Sequence, residues 1–255
     1  MSNSESAKER SRASAPIEKP DEMTSASSAH SRAARTYRRG NDYSAVSPAV
    51  IKRLPRYFRY LRELLHHDIL RISSSELSEM MNVTASQIRQ DLNCFGGFGQ
   101  QGYGYNVKYL YSKISDILGV SSNFNAVIIG AGNLGHAIAG SNMFEHRNMN
   151  LIGIFDVSPQ VIGRRIANYT VMDMAELPAF AKKRPIDIAI LTVPKEYAQE
   201  TAQTLANIGI SGLWNFTSTE LDLKVHGIMV ENVHMGDSLM RLMYEINNNE
   251  QLNET

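Results

Sequence analysis

Three glycines offer the most specific chemistry in this chain. They stand in the run Ala126-Val127-Ile128-Ile129-Gly130-Ala131-Gly132-Asn133-Leu134-Gly135, spaced G-x-G-x-x-G, directly after an apolar stretch rich in isoleucine and valine. A helical pattern through Ala137, Ile138 and Phe144 follows. Between a strand and a helix each glycine has a task. Gly130 makes the turn, Gly132 lets the backbone approach a pyrophosphate, and Gly135 lets the helix pack on the strand. The first helical N–H groups and the positive end of the helix dipole then face the phosphates. A second apolar stretch, Leu151 to Phe155, ends in Asp156, 21 residues beyond Gly135. A carboxylate there can accept hydrogen bonds from ribose hydroxyls and repel a 2′-phosphate, so the expected cofactor is NAD(H). Its neighbour Val157 is counted in the same site, while Arg164 and Arg165 lie close enough in sequence to weaken the preference over NADP(H). The plainer alternative is a glycine-rich turn beside an ordinary surface acid.

Ligands in open α/β sheets sit beyond the carboxyl ends of strands. That rule nominates Thr192-Val193-Pro194, after the stretch Asp187 to Leu191, and Asn215 with Phe216. Loop or core packing explains these residues equally well. Cys94, the lone cysteine, excludes an internal disulfide and a multi-cysteine zinc site, and is expected to be a small core residue. No metal is expected.

The elements that must carry these residues follow from periodicity. Candidate strands at 125–130, 150–155, 168–172, 186–192, 212–216 and 228–232, mostly separated by helical patterns, predict a doubly wound, mostly parallel α/β sheet. Upstream, Ser47-Pro48 opens a helix over Val50, Leu54, Phe58, Leu61 and Leu65, which Pro55 is expected to kink or split. Capping boxes Ser73/Glu76 and Thr84/Gln87 open two short helices, the first over Leu77 and Met80, the second over Ile88, Leu92 and Phe95. The link Asn82-Val83-Thr84 allows only a tight turn, so residues Tyr57 to Gly96 read as a helix-turn-helix region. The glycine and aromatic run from Gly96 to Val107 reads as a β-hairpin wing.

The expected division is a Ser/Arg-rich tail at 1–45, a winged helix at 46–112, a dinucleotide-binding domain at 113–236 and a C-terminal helix and tail at 237–255. The 255-residue chain has zero formal net charge, but its basic residues favour the first half and its acids the second, the weak mark of a nucleic-acid module. Arg32, Arg35, Arg38 and Arg39 make the tail either a solvated arm or a non-specific DNA contact. No apolar run is long enough for a membrane helix and no signal peptide is evident, so a cytoplasmic location without membrane attachment is expected. In the C-terminal helix Leu239, Leu242, Met243 and Ile246 share one face, which suits a dimer contact or intrachain packing.

Taken together, these features resemble the Rex family of redox-sensing transcriptional repressors. The resemblance runs from about Val46 to about Ile246. It rests on Leu54 to Leu65, Val83 to Leu92 with the wing to Val107, the GAGNLG turn, Phe155-Asp156, Leu191 to Pro194, and Val230-Glu231-Asn232-Val233. It implies a homodimeric repressor of palindromic operator DNA, with its C-terminal helix swapped onto the partner and NADH releasing it from DNA. It places DNA contacts at Thr84, Ser86, Gln87, Arg89, Gln90, Gln101 and Tyr103. Gln90 and Gln101 stand where relatives often carry basic residues. Around the nicotinamide it aligns Ser141 with a tyrosine in the helix after the glycine turn, His234 and Met235 with an Asp-Phe pair, and Arg59 with an arginine to which that Asp switches. These departures raise two alternatives: an NAD(H)-binding regulator with altered or lost redox discrimination, and an interaction protein using the cofactor only structurally. An NAD-dependent dehydrogenase, with His136 or His234 nearest for proton transfer, is the remaining rival, and few residues are left for a substrate domain. The expectation is therefore of a regulator, not an enzyme.

Overall fold

A computed structural model describes residues 46–96, 99–100, 103–144, 148–221, 223 and 227–253. The tail at 1–45 and Gln101 of the wing lie outside the described residues.

Helix α1 (Pro48–His66) begins where the Ser47 hydroxyl accepts the Ala49 amide at 3.3 Å. It buries Val50, Leu54, Tyr57, Phe58, Leu61 and Leu64 along one face. The helix is not split at Pro55 but runs unbroken for 19 residues. Pro55 and Ile51, whose carbonyl loses its partner, both face solvent, so water can take that carbonyl. Buried residues on both sides of the proline hold the helix together.

A short strand, β1 (Arg71–Ile72), leads to α2 (Ser74–Met81) and α3 (Ala85–Asn93). The Ser73/Glu76 capping box forms in full, with reciprocal hydrogen bonds of 3.1 and 2.7 Å. The Thr84/Gln87 box forms by half. Thr84 Oγ1 accepts the Gln87 amide at 3.1 Å, but the Gln87 carboxamide turns inward to Asp91. Strand β2 (Gly99–Gln100) pairs antiparallel with β3 (Gly104–Asn106), and β3 pairs with β1, so the wing is a three-stranded sheet. A two-residue strand such as β1 is too short to show a period in sequence. Helix α4 (Val107–Ile117) continues across residue 112, and its Leu110 and Ile114 share one apolar core with α1, α2 and α3.

The second core surrounds a seven-stranded sheet. Its strands are β4 (Phe124–Ile129), β5 (Met149–Asp156), β6 (Arg165–Ile166), β7 (Tyr169–Asp173), β8 (Ile188–Leu191), β9 (Gly212–Asn215) and β10 (Met229–Asn232). The spatial order is β10-β9-β8-β4-β5-β7-β6, parallel except for β6. Without the β6 edge this is the doubly wound Rossmann order, whose direction reverses between β4 and β8. Along β4, Val127 and Ile129 enter one apolar cluster while Ala126 and Ile128 enter the other, so both faces are covered. Helices α5 (Asn133–Ala139), α6 (Leu177–Lys183) and α7 (Lys195–Asn207) follow β4, β7 and β8.

The chain closes with α8 (Met235–Asn253). Leu239, Leu242, Met243 and Ile246 of its apolar stripe are 58, 51, 55 and 48% exposed, so intrachain core packing is not their role.

Candidate functional site

The glycine turn lies at the reversal point of the sheet, between the ends of β4 and β8. Gly130 adopts φ +105°, a conformation that glycine alone takes without strain, and its amide bonds to the Phe155 carbonyl at 2.8 Å. Gly135 packs so tightly that an added Cβ would lie 2.0 Å from the Gly130 carbonyl oxygen. A Cβ on Gly132, by contrast, would meet nothing within 4 Å. One glycine bends the chain, one seats the helix and one faces open space. No side chain caps α5 at its N-terminus, leaving the first amides of Asn133, Leu134 and Gly135 directed at that space.

Asp156 folds back onto the turn. Its Oδ2 accepts the Ala131 amide at 2.6 Å and its Oδ1 accepts the Ser158 amide at 2.8 Å. The Ala131 amide is therefore committed to the protein and is not a phosphate donor in this arrangement. Each carboxylate oxygen keeps a lone pair for a ribose hydroxyl. Val157 beside it is 74% exposed. Both nearby arginines are exposed, and Arg165 bonds the Ala167 carbonyl at 3.2 Å. Across the turn, Thr192 Oγ1 donates toward the carbonyl oxygens of Gly130 and Ile129, at 2.8 and 3.1 Å. That bond pins the end of β8 to the glycine bend and brings Val193 and Pro194 to the same edge.

Asn215 was nominated for its place at the carboxyl end of β9, but its side chain is saturated within the protein. Nδ2 donates to the Thr219 carbonyl and to Asn232 Oδ1, both at 2.8 Å. Oδ1 accepts from the Thr217 amide and hydroxyl, at 3.0 and 2.7 Å. A carboxamide has no more capacity than this. Asn215 is fully buried, and its place is that of a clamp joining β9, β10 and the following turn. Asn215→Leu is expected to lower stability by about 2–3 kcal/mol, because the buried Thr217 amide and hydroxyl and the Thr219 carbonyl lose their partner; thermal unfolding measures it. Phe216 packs against Trp214 with ring centroids 4.7 Å apart.

The nicotinamide-side candidates are less concentrated. Helix α5 stops at Ala139, so Ser141 and Phe144 lie beyond its end rather than within it. Gly140, Ser141 and Asn142 are weak helix formers, and the Ser141 hydroxyl donates to the Ile138 carbonyl at 2.7 Å. Its proton is thus committed to its own turn, and its oxygen remains an acceptor. His234 is half-buried between β10 and α8, and Met235, the first residue of α8, is 60% exposed. Arg59 is exposed on α1, with its guanidinium 5.5 Å from the Tyr60 ring centroid.

In the winged helix, Thr84, Ser86, Arg89 and Gln90 present an exposed polar face of α3. Arg89 donates to the Ser74 hydroxyl at 3.0 Å, which steadies it at the start of α2. Gln87 is withdrawn from that face by its bond to Asp91. Cys94 is exposed, not in the core, because Ile88, Asp91, Leu92 and Phe95 take the inward side. Its thiol bonds the Gln90 carbonyl at 3.3 Å. At the wing, Tyr103 is 69% exposed and stacks with Arg71, 5.8 Å from guanidinium to ring centroid.

Sequence reasoning missed the group that braces this face. Asp91 is fully buried and accepts from both arms of Arg53 of α1 at 2.7 Å, from the Gln87 side-chain Nε2 at 2.7 Å and from the Tyr57 hydroxyl at 3.0 Å. Burial pushes the Asp91 carboxyl up, but the hydrogen bonds from Arg53, Gln87 and Tyr57 outweigh it and hold the acid below its usual range. Burial, then the Asp91 charge, pushes the Tyr57 hydroxyl well up. The signal was available: an acid between Ile88, Leu92 and Phe95 on one helical face requires buried partners.

A winged helix joined to a dinucleotide-type Rossmann sheet defines the class of protein. Residues 45–93 match the family described as "Putative DNA-binding protein N-terminus", and residues 121–219 match "CoA binding domain". The redox-sensing transcriptional repressor Rex of Thermoanaerobacter sp. (strain X514) is 55% identical over 206 residues, 80% of this chain and 91% of that one. The same protein of Caldicellulosiruptor saccharolyticus is 52% identical over 202 residues, 79% of this chain and 92% of that one. Among solved structures, RSP in complex with β-NAD+ and operator DNA gives a TM-score of 0.75 at 53% identity, covering 82% of this chain and 96% of that one. RSP in complex with β-NADH gives 0.75 at 50% identity, covering 82% and 98%. The chain belongs to the Rex family of redox-sensing transcriptional repressors.

Proposed function

We propose that this chain represses transcription by binding operator DNA as a homodimer, and that NADH releases it. The observation that carries this reading is the joining of an exposed, braced α3 face to a glycine turn whose centre, at Gly132, is open to a ligand. The residues that would hold the dinucleotide are Gly130 to Gly135 through the α5 amides, Asp156 with Val157 at the ribose, and Thr192 to Pro194 along the opposite edge. The Ala131 amide and the Asn215 side chain support that site from behind, with Phe216 beside them. Bound there, the cofactor supplies the oxidation state of its nicotinamide as the signal, and no reaction on a substrate is involved. His136 and His234 are therefore not assigned proton transfer, and the relatives are repressors rather than dehydrogenases.

The chain divides into a tail at 1–45, a winged helix at 46–112, a dinucleotide-binding domain at 113–236 and a C-terminal helix and tail at 237–255, with α4 carrying the winged helix's packing beyond residue 112. Helix α8 supplies the dimer contact, swapped onto the partner. No helix among the described residues is long and apolar enough to cross a membrane, and the reading places the protein with DNA in the cytoplasm. Leu242→Asp with Met243→Asp is expected to convert the dimer to a monomer, read by sedimentation, because two charges would enter its apolar contact.

Two winged helices in a fixed orientation match half-sites about one DNA turn apart. A ligand preferring another arrangement weakens DNA binding by the same factor by which DNA weakens ligand binding, ordinarily about 1–3 kcal/mol. Arg89 reads guanine or holds phosphate. Arg89→Ala is expected to weaken operator binding by about 1–3 kcal/mol without lowering the melting temperature. Unchanged operator affinity would remove α3 from the interface.

Ser141 sits outside α5 with its hydroxyl proton used on the Ile138 carbonyl, so it has no proton to donate to His234. Cofactor binding then persists with altered redox discrimination. Equal affinities for NADH and NAD+ would identify this case, since an equally bound ligand shifts nothing.

A further inference from the structure

We infer that Asn232 is the positioning residue that sets the direction in which α8 leaves the sheet, and that through it the cofactor edge steers that helix; this deepens the reading above and rests on it. Two observations lead there. The first is how little else holds α8. Every residue from Met235 to Asn247 is exposed, so packing within the chain does little to orient the helix. Its root, β10, stands at the edge of the sheet beside β9, paired over four residues. A helix of 19 residues spans about 28 Å. A turn of about 10° at the root therefore moves its far end by about 5 Å.

The second observation is that the strand ends are tied in series. Thr192 Oγ1, just past β8, donates to the Gly130 carbonyl of the glycine turn at 2.8 Å. The Phe216 amide, just past β9, donates to the Leu191 carbonyl at 3.0 Å. The Val233 amide, just past β10, donates to the Asn215 carbonyl at 2.8 Å, and Asn215 Nδ2 donates to Asn232 Oδ1 at 2.8 Å. Four strand ends thus form one line from the glycine turn to the root of α8. The last bond is the informative one. The Val233 amide already joins the two strands there, and Asn232 is exposed, so water would satisfy its carboxamide as well. What the bond fixes is the turn into α8, because Asn215 is fully buried and held by Thr217 and Thr219 in one position. Place along a line of bonds does not by itself establish coupling, so the coupling is what must be measured.

The test titrates NADH calorimetrically into the full chain, free and saturated with an operator duplex selected with the parent protein. The readout is the ratio of the two affinities, expected at roughly 5- to 150-fold for the parent. Asn232→Ala is expected to bring that ratio to within about twofold of one, while the NADH affinity of the free protein and its melting temperature stay near the parent's. Asn232→Asp keeps an acceptor oxygen for Asn215 Nδ2 and should restore the ratio. A merely structural role would lower the melting temperature and leave the ratio alone. An unchanged ratio in Asn232→Ala would overturn the inference while leaving release by NADH intact. A ratio lost in both variants would overturn it too, since the acceptor oxygen would not be the cause. Loss of NADH affinity in free Asn232→Ala would put the residue in the cofactor site itself and overturn its positioning role. A ratio of one in the parent would overturn the NADH-release reading, and this inference with it.

Discussion

Gly135→Ala is expected to lower stability by about 3 kcal/mol or more and to weaken NADH binding at least 100-fold. The added Cβ would lie 2.0 Å from the Gly130 carbonyl oxygen and 3.1 Å from both the Gly130 carbonyl carbon and Thr192 Oγ1. These are backbone atoms and a hydroxyl already bonded to that same carbonyl, so nothing nearby can swing away. Helix α5 must lift from β4, carrying its first amides out of line. Gly132→Val makes the informative contrast. Its backbone, at φ −72°, suits any L-residue, and its Cβ meets nothing within 4 Å. That variant should keep its melting temperature yet lose NADH affinity, because the side chain fills the space left for the pyrophosphate. Calorimetric unfolding and NADH titration of both variants separate seating from approach. Full affinity in Gly132→Val would show that the cofactor does not pass over this turn.

Arg53→Met is expected to destabilise the winged helix by about 3–5 kcal/mol, at the lower end because Arg53 is itself 33% exposed. The cost arises mainly from Asp91, left fully buried without its counter-charge. Arg53→Met with Asp91→Leu should recover much of the loss, since an apolar pair needs no compensation in the core. Operator affinity is expected to fall with Arg53→Met, because Asp91 ties α3 to α1. The pH dependence follows from the direction of each shift. Asp91 is held below its ordinary range, so its contribution is full above the unfolded value near pH 4 and is lost as pH falls through the lower folded value. Tyr57 is pushed up, so its contribution is full below about pH 10 and declines as pH rises further. Melting curves from acid to alkaline pH should show Asp91→Asn with a flatter acid limb than the parent.

How much of this was legible in the sequence depended on the range over which each feature acts. The central strands β4, β5 and β8 and the glycine turn were visible because buried strands read as apolar runs and the turn needs glycine at fixed spacing, whereas β7 and β10 were placed by the alternation of strands and helices. The Ser73/Glu76 box was visible for the same local reason. Gln87 was misassigned because the competing partner, Asp91, lies on the inward face and gains its counter-charge from Arg53, 38 residues away. Asn215 was legible as a strand-end residue but not as a saturated clamp, since Asn232 comes from another strand. Cys94 was placed in the core on residue type alone, which the register of α3 overrides. Pro55 obeyed its chemistry, but its carbonyl partner faced water, and sequence does not show that.

Repression turns on a linkage between dinucleotide and DNA in one molecule. Its most direct measurement is calorimetric titration of NADH and of NAD+ into the full-length protein, free and saturated with operator duplex. Bound DNA is expected to weaken NADH binding by roughly 5- to 150-fold and to affect NAD+ much less. NADH affinity that is identical with and without DNA would contradict it.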